Sequence, residues 1–266
     1  MDNTFEHNQI HFHYTDKGKG PALIFLHGLG ASLQQAKEIT SRIKGHRIVS
    51  MDFRGHGKTK RFVTASDAQM EVFAKDLSNL MEFLGIHECI LGGLSLGAAV
   101  AMKYALANPE KIKKLVLVRP AWVNQRDPDH FHLLKLAHDL IQKYGIVTGR
   151  EYFTESPDFV EVKEKFPNYA ESLLGHFSRP QADTSYALLK YLPEDRPIDD
   201  LTQLTQLSMP VLVIGSNDDP LHPFSYAETI HSHLPNATLV PIISKYLNME
   251  QHNRELQALM ASFISS

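Results

Sequence analysis

The chain has 266 residues, 43% of them hydrophobic, enough to bury one sizeable core. Its net charge is -3, with acids and bases interspersed, so there is no basic stripe for a phosphate backbone and nucleic acid is not an expected partner. The single cysteine, Cys89, excludes an internal disulfide framework and a thiolate metal site and fits a reducing compartment.

The opening "MDNTFEHNQI" has neither the basic start nor the apolar run of a signal peptide, so export is not expected. "QIHFHYTDKGKG" alternates and then breaks at glycines, as a hairpin strand and its turn would. "PALIFL" follows, a continuous apolar run of the kind that parallel strands buried on both faces require. "HRIVSM", "ECILGG", "KLVLV" and "MPVLVIG" repeat it, each far shorter than the roughly 20 residues that span a bilayer. The expectation is a cytoplasmic protein that does not engage membranes.

Helical spacing separates these runs. One predicted helix opens at "SDAQ", where Ser66 can cap and Gln69 can reach back, and continues through Met70, Phe73, Leu77, Leu80 and Leu84 on one face. "SLGAAVAMKYALA" suits a helix packed closely on a sheet, and Leu256, Leu259, Met260 and Phe263 mark a last helix. Strand and helix in regular succession give a mostly parallel sheet with helices on both faces. The alternation stops after "VLVRPAW": residues 124–205 are amphipathic, punctuated by prolines and without a buried-strand run, and read as an all-helical insertion. Residues 1–123 and 206–266 then form the core domain.

Ser95 lies in "GLSLG", between a strand-like run and a helix-forming one. A serine forced into a sharp strand-to-helix turn needs small residues two positions either side, and both are glycines, Gly93 and Gly97. The same turn aims the Leu96 amide at the hydroxyl, where negative charge develops in acyl transfer. "LIFLHGLG" ends another strand in a turn that can offer a second donor, the Leu29 amide, to the same oxyanion hole. His27 in that turn is expected to hold the loop by hydrogen bonding, or to line the pocket.

"HGLG", "MDFRGHG" and "GGLSLG", in this order and each at a predicted strand end, resemble the α/β-hydrolase superfamily of serine hydrolases. The resemblance covers nearly the whole chain. It implies an eight-stranded sheet, a helical cap after the sixth strand, and a triad in the chain order serine, acid, histidine. In "VLVIGSNDDPLHP" the acid is Asp218 or Asp219; the Asp-Pro pairing favours Asp219, and the alternative is that these aspartates cap the next helix.

Relatives usually carry a Gly-His pair just after the last strand, and this chain has none there. The resemblance to cap-bearing members with a lone Gln-His opening the last helix points to His252 as the base. A helix N-terminus would keep that imidazole neutral near pH 7. His222, three residues from Asp219, is expected to line the pocket, because a triad made with that same aspartate would be strained. Arg119 can reach a substrate carboxylate or pair with a nearby acid, and Trp122 is a further pocket candidate. The fifteen histidines include "HFH" at His11 to His13 and at His130 to His132, but no acid completes an open metal site, and no metal or cofactor is expected.

The function expected from these residues is cleavage of an ester-type bond in a small-molecule substrate through an acyl-enzyme on Ser95. The same triad also serves lactone, thioester and C–C bond hydrolysis, and the fold is used by small-molecule receptors and non-catalytic scaffolds. The sequence carries no signal of oligomeric state.

Overall fold

A computed structural model of the protein describes residues 3–266. Eight strands form one sheet: β1 (Asn3–His7), β2 (Ile10–Lys17), β3 (Ala22–Leu26), β4 (Arg47–Met51), β5 (Cys89–Leu94), β6 (Ile112–Val118), β7 (Val211–Ser216) and β8 (Ala237–Ile242). Their order is β1-β2-β4-β3-β5-β6-β7-β8. The β1–β2 and β2–β4 pairs are antiparallel and all the others parallel. The first two strands form a hairpin, but it turns at Asn8 and Gln9, both at positive φ. The glycines at 18 and 20 serve instead to bring the next segment against the backbone of Gly45 and His46.

Alternate residues of the central strands feed two cores, as the two-residue period of a strand dictates. Leu23 and Phe25 face one side with Ala36 and Ile39 of α1 (Leu33–Thr40) and with Leu256 and Met260 of α10 (Met249–Ser265). Ile24 and Leu26 face the other side, packed with α2 (Met70–Phe83), α3 (Leu96–Ala107) and α9 (Phe224–His233). The predicted Ser66 cap is not used. Helix α2 starts four residues later, and Asp195, from far along the chain, accepts from the Met70 amide at 2.7 Å, while the Ser66 hydroxyl bonds Thr64.

Between β6 and β7 the chain is helical: α4 (His132–Glu155), kinked at Gly145, then α5 (Pro157–Lys165), α6 (Pro167–Ser178), α7 (Ala182–Ser185) and α8 (Leu188–Tyr191). Pro157 and Pro167 occupy the first helical turn, where a missing N–H costs nothing. Phe153 packs with Phe159 and Phe177 at ring separations of 5.0 and 5.1 Å, forming a core for this segment. The segment is tied to the sheet near the C-terminal strand ends, where the Asn168 amide of α6 donates to the Tyr246 carbonyl at 2.8 Å. Among the described residues, no helix is long and apolar enough to cross a membrane.

Candidate active site

Ser95 is the single residue between β5 and α3, with φ 55° and ψ -112°. A side chain in this region is strained and must be held by its surroundings. Glycine at 93 and 97 makes the turn feasible. A Cβ on Gly93 would stand 2.2 Å from the Gly97 backbone, and one on Gly97 would stand 2.3 Å from the Leu26 carbonyl oxygen. The Ser95 amide donates to the Val118 carbonyl at 2.9 Å, anchoring the turn to β6.

The two amides expected to receive an oxyanion are those of Leu96 and Leu29. Leu96, the first residue of α3, has an N–H outside that helix's own ladder. Leu29 lies between Gly28, whose N–H donates to Gln35 Oε1 at 2.9 Å, and Gly30, whose N–H donates to His56 Nε2 at 3.0 Å. These bonds fix the turn on both sides of Leu29. His27 is fully buried beneath it: Nδ1 donates to the Gly28 carbonyl at 2.7 Å and Nε2 accepts from the Phe53 amide at 3.1 Å. Both ring nitrogens are committed, so His27 holds the loop and does not face the cavity.

The imidazole that meets Ser95 belongs to His222. Its Nε2 is 2.9 Å from Ser95 Oγ and its Nδ1 is 2.9 Å from Asp219 Oδ1. The expectation that His222 only lines the pocket is corrected, and its physical reason is a turn. Asp218 adopts a left-handed φ of 54°, the Leu221 amide donates to Asp219 Oδ1, and the His222 amide donates to the Asp219 carbonyl at 3.2 Å. The chain thus folds back on Asp219, and three residues suffice to bring ring and carboxylate together. Asp219 is buried while Asp218 is exposed, so Asp219 is the acid that faces the histidine.

The expectation for His252 is corrected as well. Helix α10 begins at Met249, capped by the Asn248 side chain, and His252 lies one turn inside it. From there its Nδ1 donates to the Ile243 carbonyl at 2.7 Å. His252 therefore clamps the loop after β8 to α10. In that loop Lys245 lines the same small cavity as Ser95.

Arg119, at the end of β6, resolves its two readings in favour of the acid. Its Nε donates to Asp219 Oδ2 at 2.7 Å and its Nη2 lies 2.5 Å from the same oxygen. Burial alone would raise the Asp219 pKa, but the charges of His222 and Arg119 and their hydrogen bonds hold it well below the usual carboxylate range. His222 Nδ1 also lies 3.0 Å from Arg119 Nη2, which can only donate, so the two neighbours compete for this nitrogen; the ionised Asp219, at 2.9 Å, has no proton to give and takes the contact with the proton on Nδ1. That tautomer leaves Nε2 as the acceptor of the Ser95 hydroxyl proton. Burial pushes the His222 pKa down, Asp219 pulls it up and Arg119 pushes it down again, and the balance is about 4. The imidazole is neutral at pH 7.

A cavity of about 60 Å³ adjoins Ser95 and His222, bounded by Leu29, Trp122, Leu221 and Lys245. Trp122 is fixed by its indole N–H, which donates to the Leu192 carbonyl at 3.0 Å, and by Phe131, 4.5 Å away between ring centres. Leu94, Gln35, Arg119 and Lys245 also border a larger outer cavity of about 530 Å³ that includes His252. Of the paired histidines, His13 bonds Asp52 at 2.7 Å, and among the described residues no three His, Cys, Asp or Glu side chains are grouped so as to hold a metal ion.

The family model described as alpha/beta hydrolase fold matches residues 21–245, and the chain belongs to that family. It is similar to the protein named carbamate hydrolase RutD of Pseudomonas syringae pv. syringae, 27% identical over 236 residues, which cover 86% of this chain and 87% of that one. It is also similar to a 2-hydroxy-6-oxononadienedioate/2-hydroxy-6-oxononatrienedioate hydrolase of Burkholderia vietnamiensis, 24% identical over 255 residues, 87% of this chain and 82% of that one. Among solved structures, a thermophilic esterase of Thermogutta terrifontis superposes with a TM-score of 0.74 at 22% identity, covering 100% of this chain and 98% of the esterase.

Proposed function

We propose that the protein is a serine hydrolase that cleaves an ester-type bond of a small molecule through an acyl-enzyme. The observation that carries this reading is the pair of 2.9 Å contacts that link Ser95 Oγ to His222 and His222 to Asp219. His222 takes the Ser95 proton as the oxygen attacks the acyl carbon, and Asp219 holds the ring and stabilises the imidazolium. The Leu96 and Leu29 amides receive the oxyanion. His222 then gives its proton to the leaving group, whose bond to the acyl carbon breaks. Water adds to the acyl-serine by the same route, releasing the acid and restoring Ser95.

The strained Ser95 backbone supports the reading, because such a conformation is retained where a side chain must be presented. The helices between β6 and β7 act as a cap that roofs the acyl site with Trp122, and the working domains are residues 1–123 with 206–266 and the cap at 124–205.

A fluorophosphonate probe tests the assignment. Intact-mass spectrometry is expected to show one adduct, located on Ser95, and p-nitrophenyl esters are expected to give a burst of one nitrophenol per chain. No adduct and no turnover would instead favour a receptor or scaffold.

A further inference from the structure

Two cations at the site make no ion pair with an acid among the described residues. Lys245 faces the inner cavity beside Ser95 and also borders the outer one, and its ammonium lies 4.7 Å from the Tyr246 ring centre. Arg179, just past the end of α6, borders the outer cavity. Its Nη2 donates only to the Ser185 carbonyl at 3.3 Å, while Nε and Nη1 are shielded from solvent and lack a hydrogen-bond partner among the described residues. The neighbouring guanidinium of Arg119 differs, since Asp219 already balances it.

Withdrawing a charge from water without a partner is costly, so proteins rarely leave buried cations unpaired. Burial pushes the Lys245 pKa down to about 8 and the Arg179 pKa down to about 10. Both groups stay largely charged at pH 7 and are poised to gain from an incoming anion. Arg179 is also well placed for the reaction. With His176 it covers the turn that presents Leu29: a Cβ on Gly30 would lie 2.8 Å from His176 Cε1 and 3.6 Å from Arg179 Cδ. Among the described residues, the only carboxylate on either cavity wall is Glu38, exposed at the outer rim. Its charge disfavours a dianion such as phosphate more than a monoanion.

We infer that Lys245 and Arg179 form a carboxylate subsite at the mouth of the active site, so that the substrate is an ester bearing a free carboxylate. The inference rests on the hydrolase reading for its link to turnover, but the subsite is a binding site in its own right. A carboxylate there makes charge-assisted hydrogen bonds to both cations, replacing hydration lost on burial. It also holds the acyl carbon near Ser95 by fixing the far end of the substrate.

Two assays test it. The first compares kcat/KM for mono-p-nitrophenyl glutarate, which is anionic, with that for p-nitrophenyl pentanoate, a neutral ester of equal acyl length. The hemiester is expected to be favoured at least tenfold, and the ratio to fall toward one in R179M and K245M, with R179K keeping part of it. The second measures binding of monomethyl glutarate, a monoanion, and of inorganic phosphate to S95A by calorimetry; monomethyl glutarate is expected to bind, and the added R179M change to abolish it. Monomethyl glutarate binding without hydrolysis of either ester would sink the hydrolase reading and leave the subsite standing. A neutral ester preferred by the wild type, a ratio unmoved in both variants, or binding of phosphate but not monomethyl glutarate would each overturn the subsite. If a variant fails to fold, the wild-type ratio and the S95A titration still decide the matter.

Discussion

Asp219 and His222 lie three residues apart on the loop after β7, and their side chains meet at 2.9 Å. In the proposed mechanism acid and base therefore come from one turn, and the loop after β8 contributes Lys245 to the wall of the same cavity. Arg119 closes the arrangement from β6 by binding the oxygen of Asp219 that His222 does not use.

Asp219→Asn should preserve the fold but favour the wrong histidine tautomer, since an amide can donate to Nδ1 and leave the proton on Nε2. The expected loss in kcat is about 10⁴-fold. Steady-state hydrolysis of a p-nitrophenyl ester measures it; a loss below about tenfold would remove Asp219 from the acid's role.

The pH profile should carry the same signature. With the His222 pKa near 4, kcat/KM should hold from neutral pH downward and fall only as pH drops through about 4, well below an ordinary histidine's limb. Arg119 pushes that pKa down, so Arg119→Met should move the acid limb upward, by about one pH unit. A limb that stays put or moves lower would contradict the charge arrangement.

Gly97→Ala should be severe although alanine is the smallest addition. Its Cβ would stand 2.3 Å from the Leu26 carbonyl oxygen, which cannot move without shifting β3. A destabilisation of about 3 kcal/mol is expected, with fluorophosphonate labelling lost as Ser95 is displaced. Thermal unfolding and labelling rate together check it.

Stability should depend on a second charged cluster, away from the chemistry. Arg54 binds Asp67 at 2.6 Å and Asp76 at 2.7 Å, all three buried. Arg54→Met leaves the buried Asp76 without its cation and Asp67 with only Arg61, at 3.3 Å, for an expected cost of about 3–5 kcal/mol. Urea unfolding measures it.

Much of this was legible in the sequence. The buried strand runs, the glycine pair around Ser95 and the helical stretch after β6 follow from local rules: side-chain period, steric exclusion and proline placement. The base was not legible by the same means. A histidine three residues beyond the acid looked too close, because the reach of such a pair depends on the backbone turn at Asp218 and Asp219, not on spacing. Pro220 and Pro223, which flank that turn, were the available signal. His252 drew attention because it lies in the right region, yet its helix position commits its ring to the Ile243 carbonyl. The α2 cap from Asp195 was hidden for a similar reason, since its partner lies in the inserted helices.

The central claim is that His222, and not His252, is the base. The most direct measurement compares His222→Ala with His252→Ala for p-nitrophenyl ester turnover and fluorophosphonate labelling at Ser95. The account predicts that His222→Ala loses about 10⁴-fold or more in kcat and labels hardly at all. His252→Ala should keep most of its labelling and lose only about 1–3 kcal/mol of stability, from the unpaired Ile243 carbonyl. Abolition of turnover by His252→Ala in a folded protein, with His222→Ala still active, would contradict it.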